Sequence, residues 1–206
     1  MFEKVISEKT KQNLATLSQT PILKDFYLAG GTGLALQFGH RISIDLDFFS
    51  AQKFNPELLV TQIKELSKFS IESKSWGTLH SILNGDRITF LNYSYPFLCP
   101  FKKFKKINIA DYLDIACMKL SAISSRGSKK DFIDFYFICK KIPLEKIFKL
   151  FGKKYKEIDF NMTHIFKNLC YFEQADKEPL PKMFDEVSWV DVKSFFTESV
   201  QNLKLF

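Results

Sequence analysis

The chain has 206 residues, of which 46% are hydrophobic and 26% charged, and its formal net charge is +7. It is long enough for one large domain or two closely packed lobes without disulfide staples. Charges interrupt the short apolar runs of the N-terminal segment, and nowhere do roughly 18 apolar residues follow one another, so we expect a cytoplasmic protein that is neither secreted nor membrane-spanning.

The first half of the chain mixes helix and strand patterns. The periodicity predicts, in order, a helix at about 4–18, a strand at 26–30, a helix at 32–39, a strand at 42–49 and a helix from Asn55 to about Phe69. The segment 70–97 predicts two or three more strands, with Asn84 to Asp86 as a hairpin turn.

From Asp111 onward only helical periodicity remains. It predicts helices at roughly 111–126, 130–141, 144–154, 161–175 and 189–203. This change of character predicts two lobes, residues 1–108 and residues 109–206. The expected fold class is α+β, with a small mixed β-sheet core flanked by helices and a C-terminal helical lobe. The four cysteines form no C-x-x-C pair, so we expect reduced thiols.

An Asp-x-Asp pair lies in the strand predicted at 42–49. Alternate side chains of a strand share a face, so Asp45 and Asp47 are expected to point to the same side. Two carboxylates this close repel each other unless a cation lies between them, and Mg²⁺ (or Mn²⁺) with oxygen ligands is the usual answer. Alone, such a pair is most often only a polar strand face.

Two glycines and a threonine end the preceding apolar run. Gly30 and Gly31 let the backbone approach a ligand closely, and Thr32 is expected to begin a helix whose free N–H groups suit a phosphate. Alone, this triplet is usually a turn. In the order strand, Gly-Gly-Thr, helix, strand, Asp-x-Asp, however, the chain resembles the polymerase-β-like nucleotidyltransferases.

A second group of charged residues follows in helical sequence. Lys119 and Arg126 are seven residues apart, which places them on nearly one helix face. Lys119 stands among apolar residues and its cation needs a partner, which a triphosphate would supply. After the break at Gly127, Asp131 is expected to open the next helix as a capping or dipole partner, with Asp134 as the next exposed position.

Three blocks of the chain are "GGTGLALQFGHRISIDLDFF", "KLSAISSRGSKKDFIDFYFI" and "YFEQAD". They resemble blocks of the AbiEii/AbiGii-type nucleotidyltransferase toxins, and the resemblance runs over nearly the whole length. It implies a two-lobed enzyme, with a nucleotidyltransferase core at 1–108, that transfers a nucleotide from an NTP to an acceptor such as tRNA or another RNA. It also implies the toxin of a toxin–antitoxin or phage-defence pair, with an antitoxin protein as partner.

The resemblance also implies roles for single residues. Phosphate binding falls to Gly30, Gly31 and Thr32, metal binding to Asp45 and Asp47, and triphosphate binding to Lys119 and Arg126. Asp131 becomes a catalytic or structural acid between the lobes.

The chain departs from the wider superfamily at one position. A third carboxylate is often found on a later strand, where it receives the acceptor's proton, but here Thr89 occupies the matching position and Asp86 falls in the turn. Asp131 is one substitute. The alternative function is a nucleotide- or RNA-binding module with an eroded catalytic site, and a transferase acting on a small molecule such as an aminoglycoside is a third.

The densest basic run is "FKKFKKINI", from Phe101 to Ile109. Lysines alternating with aromatic residues are typical of nucleic-acid contact, and the net charge of +7 makes a polyanionic partner plausible. The same run is equally compatible with a solvated loop.

Overall fold

The computed structural model describes residues 1–65 and 68–203. The chain forms two compact units. The first joins Met1–Tyr95 to Pro100–Asp111, and the second joins Pro96–Cys99 to the chain from Tyr112 onward.

The first unit contains three α-helices and a sheet. Its helices are α1 (Glu8–Ser18), α2 (Gly30–Phe38) and α3 (Pro56–Lys64). Its strands are β1 (Tyr27–Leu28), β2 (Leu46–Ser50), β3 (Phe69–Ser75), β4 (Thr78–Leu83), β5 (Asp86–Asn92), β6 (Lys102–Phe104) and β7 (Ile107–Ile109). Within the described part of the chain the strands form one sheet in the order β3-β4-β5-β2-β1-β7-β6.

The sheet is mixed, because β2 runs parallel to β5 and β1 parallel to β7, whereas the other neighbours are antiparallel. The turn between β4 and β5 has the predicted residues Asn84 and Gly85, both with positive φ (50° and 84°), as a two-residue hairpin requires. Asp86 is not in this turn but is the first residue of β5. The predicted mixed sheet with flanking helices is confirmed.

One face of the sheet is apolar and packs on helices α1 and α3. Its period-two pattern is clear in β4, where Leu79 and Leu83 are buried while His80 is only half-buried. The cluster includes Leu14, Leu17, Leu46, Phe48, Leu59, Ile63, Leu79, Ile88 and Phe90. The opposite face carries the polar side chains of Asp47, Thr89 and His80.

The predicted end of helix α3 is wrong. The helix predicted to reach Phe69 ends at Lys64, and Phe69 instead opens β3 in antiparallel register with Leu83; residues 66 and 67 lie outside the described residues. The basic run, for which a solvated loop was one of two interpretations, forms the hairpin of β6 and β7, turning at Lys105 with a φ of 53°. Alternation of Phe104, Ile107 and Ile109 into the core explains the hairpin.

The second unit is helical. It contains α4 (Tyr112–Ser125), α5 (Lys129–Cys139), α6 (Leu144–Lys154), α7 (Met162–Leu169), α8 (Glu173–Asp176) and α9 (Trp189–Asn202). Phe135 of α5 stacks on Phe196 of α9 with ring centroids 5.6 Å apart. The helix predicted at 161–175 is interrupted, because the chain leaves the helical conformation at Cys170.

A buried ion pair ties the segment Pro96–Cys99 to this unit. Lys154 Nζ lies 2.6 Å from Asp114 Oδ1 and also donates to the Pro96 carbonyl at 2.9 Å. Asp114 in turn accepts the backbone N–H groups of Leu98 and Cys99. Each of these donor groups thus has a carboxylate or carbonyl acceptor, as burial requires.

The four cysteines are free thiols, and burial raises the pKa of Cys117 to about 12. A thiol with so high a pKa is a poor nucleophile. No helix among residues 1–65 and 68–203 combines the length and apolar character needed to cross a membrane.

Candidate functional site

The two aspartates of the Asp-x-Asp pair stand at the start of β2. Asp47 is the second residue of the strand, whereas Asp45 lies in the segment that precedes it. The predicted start of this strand at residue 42 is wrong, because β2 begins at Leu46. Ser43 donates its N–H to the Val5 carbonyl (2.9 Å) and not to a neighbouring strand of the sheet. As a result Ile44, which the alternation placed in the core, is 55% exposed.

Both carboxylates act on the same neighbouring cation, Arg87 of β5. The pKa of Arg87 is raised, first by its hydrogen bond to Glu72 and the charge of that residue, then by the charge of Asp45 and, more weakly, that of Asp47. The charges of both aspartates therefore reach the same arginine. The strand alternation from which their common direction was predicted does not extend to Asp45, because β2 begins at Leu46.

The Gly-Gly-Thr triplet lies directly against these aspartates. Helix α2 begins at Gly30, two residues earlier than predicted, and Gly30 has a φ of +60°. A Cβ on Gly30 would lie 2.5 Å from Asp47 Oδ2. Thr32 Oγ1 donates to the Asp45 carbonyl and is also hydrogen-bonded to Ser43 Oγ at 2.9 Å. The helix start and the acidic segment are therefore one structural unit.

Arg41 is a charged residue at this place to which the sequence analysis gave no role. Its side chain is buried, its Nη1 donates to the Ile42 carbonyl at 2.9 Å, and its Nη2 lies where a Cβ on Gly31 would be. A buried guanidinium beside the N-terminus of a helix adds positive charge where an anion would bind. The signal in the sequence was the arginine of "GHR" between two functional motifs.

Replacing Gly30 by alanine should remove the close approach between α2 and Asp47. We expect a loss of about 1–2 kcal/mol in unfolding free energy from the left-handed backbone, and a fall in nucleotide transfer because the methyl group displaces the carboxylate. Thermal unfolding and transfer assays measure both. Gly85→Ala is the matched control, because Gly85 has a φ of +84° in an exposed turn. Equal transfer by both variants would contradict the prediction.

The donor set at this place fits a magnesium ion. Asp45 and Asp47 offer carboxylate oxygens, and Gly30 leaves the space in front of Asp47 clear. Within residues 1–65 and 68–203 no group of three His, Cys, Asp or Glu residues could hold a metal ion. Mg²⁺ characteristically uses one or two carboxylates and completes its shell with water and substrate phosphate, so two protein ligands are sufficient.

The third carboxylate position holds a hydroxyl. The parallel register of β2 and β5 pairs Asp47 with Thr89, as the sequence analysis expected. Asp86 does not serve instead, because its buried carboxylate pairs with Lys9 (2.8 Å) and accepts from Asn13 (3.0 Å). On the next strand, His80 pairs with Thr89.

Lys119, Arg126 and Asp131 meet in the second unit. Lys119 Nζ lies 2.9 Å from Asp131 and 2.6 Å from Asp134, with 6% of its side chain exposed. Arg126 donates Nε to Asp131 at 2.8 Å, and Ser128 Oγ donates to the same carboxylate at 2.6 Å. The partner that Lys119 was expected to need is thus supplied by two carboxylates of the protein. The expectation that Asp134 is exposed is wrong, because Asp134 is buried.

Asp131 is held as a carboxylate by this cluster. Burial alone would raise its pKa, but the charges of Lys119 and Arg126 and the hydrogen bonds of Arg126 and Ser128 lower it well below its ordinary value. Asp131 is thus anionic across the physiological range. An acid with so low a pKa is a poor acceptor for a proton at neutral pH.

The low pKa of Asp131 predicts how the stability depends on pH. A depressed folded pKa stabilises the fold fully above the unfolded pKa of about 4, and this contribution is lost as the pH falls through the folded value. We expect wild type to lose unfolding free energy below about pH 4 more steeply than Asp131→Asn. Denaturant unfolding from pH 7 to pH 2 tests this, with the exposed Asp185→Asn as control; parallel curves for wild type and Asp131→Asn would contradict it.

Comparison with known proteins agrees with this geometry. Residues 13–97 match the family model described as "Nucleotidyl transferase AbiEii toxin, Type IV TA system". The chain is 39% identical over 202 residues to an uncharacterized protein, aq_aa25, of Aquifex aeolicus (strain VF5), covering 95% of this chain and 96% of that protein.

Two solved structures share the fold. JHP933 from Helicobacter pylori aligns with a TM-score of 0.56 at 16% identity, over 95% of this chain and 92% of its own. MenT4, a nucleotidyltransferase toxin from Mycobacterium tuberculosis H37Rv, aligns with a TM-score of 0.54 at 13% identity, over 93% of this chain and 84% of its own. At such identities the likeness concerns the fold. The family is given by the match of residues 13–97, which contain the helix start and the acidic strand, and the chain belongs to the AbiEii nucleotidyl transferase toxin family.

Proposed function

We propose that this nucleotidyltransferase moves a nucleoside monophosphate from an NTP to an acceptor hydroxyl in a reaction that depends on Mg²⁺ or Mn²⁺. The observation that carries the proposal is the seating of the Gly30 helix start against Asp47, with Thr32 bonded to Ser43 and to the Asp45 carbonyl. This contact supports a site in which the start of α2 binds phosphate beside the two aspartates.

In the first unit, different residues bind the phosphates and the metal ion. The first N–H groups of α2, at Gly30, Gly31 and Thr32, bind phosphate oxygens, with the helix dipole adding positive potential. Asp45 and Asp47 hold the metal ion. When bound, that ion would neutralise phosphate charge, lower the pKa of the acceptor hydroxyl and stabilise the charge of the leaving pyrophosphate.

The residues of the second unit contribute charge. We assign Arg126 to binding phosphate. Arg126 is 63% exposed while it holds Asp131, so its guanidinium faces solvent and suits a ligand. Lys119 is buried between two carboxylates, so its contribution includes fixing Asp131, which we regard as the structural acid of the cluster.

The acceptor in this proposal is RNA, such as a tRNA, and the hairpin of β6 and β7 is its docking strip. Lys102, Lys103, Lys105 and Lys106 are exposed on this edge hairpin. Each phosphate neutralised by a lysine releases counterions, so RNA association should weaken steeply with salt. An antitoxin protein completes the partners of a toxin in this family.

Replacing the four hairpin lysines by glutamine should weaken RNA association and lower its logarithmic salt slope by about 3, because each lost phosphate contact removes about 0.7–0.9 from the slope. Binding of NTP should be preserved. Filter binding with total tRNA at several salt concentrations measures this. Replacing Lys140, Lys141, Lys146 and Lys149, which are also exposed, removes the same charge elsewhere and should change the slope less. Equal slopes in the two variants would make the hairpin a solvated surface.

The transfer itself is tested with labelled NTPs. Purified protein is incubated with each of the four NTPs, Mg²⁺ or Mn²⁺, and total RNA, with the label on the α- or the γ-phosphate in parallel. Nucleotide transfer moves the α-label to the acceptor and leaves the γ-label in pyrophosphate. Label moving only from the γ-position would show phosphoryl transfer and contradict the proposal.

A binding module with an eroded site is the second candidate. Thr89 in place of a third carboxylate favours it, since the usual proton acceptor of the superfamily is absent at that register position. Its signature in the same experiment is NTP or RNA binding with no transfer of either label.

A further inference from the structure

Three polar side chains form a row across neighbouring strands of the sheet. Asp47 of β2 pairs with Thr89 of β5, and Thr89 pairs with His80 of β4. Residues paired in register share a sheet face, and adjacent strands lie about 4.8 Å apart. His80 is therefore two strands away from the proposed metal ligand, with Thr89 between them.

The row lies on the face opposite the hydrophobic core. Leu79 and Ser81, the neighbours of His80 along β4, are fully buried toward the other side, and Leu79 belongs to the core cluster. His80 itself is half-buried. Its Nδ1 lies 3.4 Å from Thr89 Oγ1, which is a long hydrogen bond. A small rotation of either side chain would shorten it.

The charged groups on the neighbouring strands are few. Arg87 of β5 and Glu72 of β3 pair with each other at 3.2 Å on the same side. Lys74 of β3 is directed to the other side, where it pairs with Glu57 of α3 at 2.6 Å. His80 thus faces the Arg87–Glu72 ion pair, whose arginine is also within reach of the charges of Asp45 and Asp47, and, beyond Thr89, the proposed metal ligand Asp47.

We propose that His80 receives the proton of the acceptor hydroxyl through Thr89, in the place of the superfamily's third carboxylate. The inference rests on the proposed nucleotidyl transfer. The acceptor oxygen forms a bond to the α-phosphorus of the NTP as the bond to the pyrophosphate oxygen breaks, and the electron pair leaves with pyrophosphate. The acceptor's proton passes to Thr89 Oγ1, which gives its own proton to His80 Nδ1; the imidazolium later releases it to water.

Each partner has the chemistry that its part requires. A hydroxyl is both donor and acceptor, so Thr89 can hand on a proton without holding a charge. It cannot be the final acceptor, since a protonated alcohol is far too acidic. An imidazole is the side chain best suited to accept a proton near neutral pH. Asp131 is a poor substitute, because its neighbours lower its pKa too far.

The decisive experiment combines loss and rescue. His80→Gln should lower the transfer rate by about 10²–10⁴-fold, the usual contribution of general base catalysis, with NTP affinity unchanged in calorimetry. The acidic limb of the wild-type pH–rate profile should disappear. Adding Thr89→Asp to His80→Gln should restore transfer at least tenfold, because it places a carboxylate beside Asp47. The exposed His164→Gln is the matched histidine control and should behave as wild type.

A second measurement does not use activity. The NMR signals of the His80 ring should shift in Thr89→Val, which removes the hydroxyl 3.4 Å from Nδ1, and stay the same in His164→Gln. Wild-type transfer and an unchanged acidic limb in His80→Gln would overturn the inference while leaving the proposed function intact. Absence of transfer in the wild type itself would overturn the proposed function and the inference with it.

Discussion

Replacing Asp45 by asparagine should reduce nucleotide transfer by about a thousandfold or more. An ion bridging the phosphates is worth several kcal/mol to a phosphoryl transition state, and every 1.4 kcal/mol is about tenfold in rate. Asparagine keeps the size of the side chain and removes one charge from beside Asp47. The free energy of unfolding without metal should therefore stay the same or rise slightly, because the repulsion between the two carboxylates is relieved.

The measurement compares α-label transfer and urea unfolding in wild type, Asp45→Asn and Asp25→Asn. Asp25 is an exposed aspartate of the same unit, so its replacement controls for the loss of one negative charge. Calorimetry with Mg²⁺ and NTP should show weaker metal-dependent binding only in Asp45→Asn. Transfer by Asp45→Asn at the wild-type rate would remove Asp45 from the metal site.

The helix start and the acidic strand were predictable because their signals are local. Two glycines before a helix and two acids at strand spacing can be seen in a dozen residues. The start of β2 was not predictable, since alternation of apolar and polar residues continues through 42–45 although this segment bonds to Val5 instead of the sheet. Pairing with a distant segment leaves no mark in the local pattern.

The position of His80 was partly predictable. Asn84 and Gly85 predict a two-residue hairpin, and such a turn fixes the register of both strands, which pairs His80 with Thr89. The position of this hairpin next to Asp47 was not predictable. That β5 lies beside β2, and in parallel, depends on the order of strands in the sheet, which the sequence of one chain does not state.

The partners of Lys119 were predicted wrongly although the sequence contained the information. Its apolar flanks correctly indicated burial, but a triphosphate was inferred where the protein supplies Asp131 and Asp134. The signal was present, because aspartates three residues apart share a helix face. Asp134 stands between Ile133 and Phe135 in a stretch that is buried throughout, so its charge needed an internal partner.

Replacing Lys119 by methionine should therefore destabilise the second unit by about 3–5 kcal/mol, the usual cost of leaving a buried charge without its partner. Methionine fills most of the space of the lysine stem, so the loss reports the charge and not a cavity. Trp189 belongs to this unit, and with Trp76 changed to Phe its fluorescence follows the unfolding. Lys130→Met, at an exposed neighbouring position, should stay within about 0.5 kcal/mol of wild type.

A double variant separates the charge from the packing. In Lys119→Met with Asp134→Leu, Asp134 no longer carries a charge, while Asp131 keeps Arg126 and Ser128 as partners. We expect this pair of changes to recover at least half of the stability lost in Lys119→Met, because a buried ion pair replaced by apolar side chains is often neutral. If the double variant is as unstable as the sum of both single changes, the lysine supports the fold through packing and the electrostatic account of the cluster is wrong.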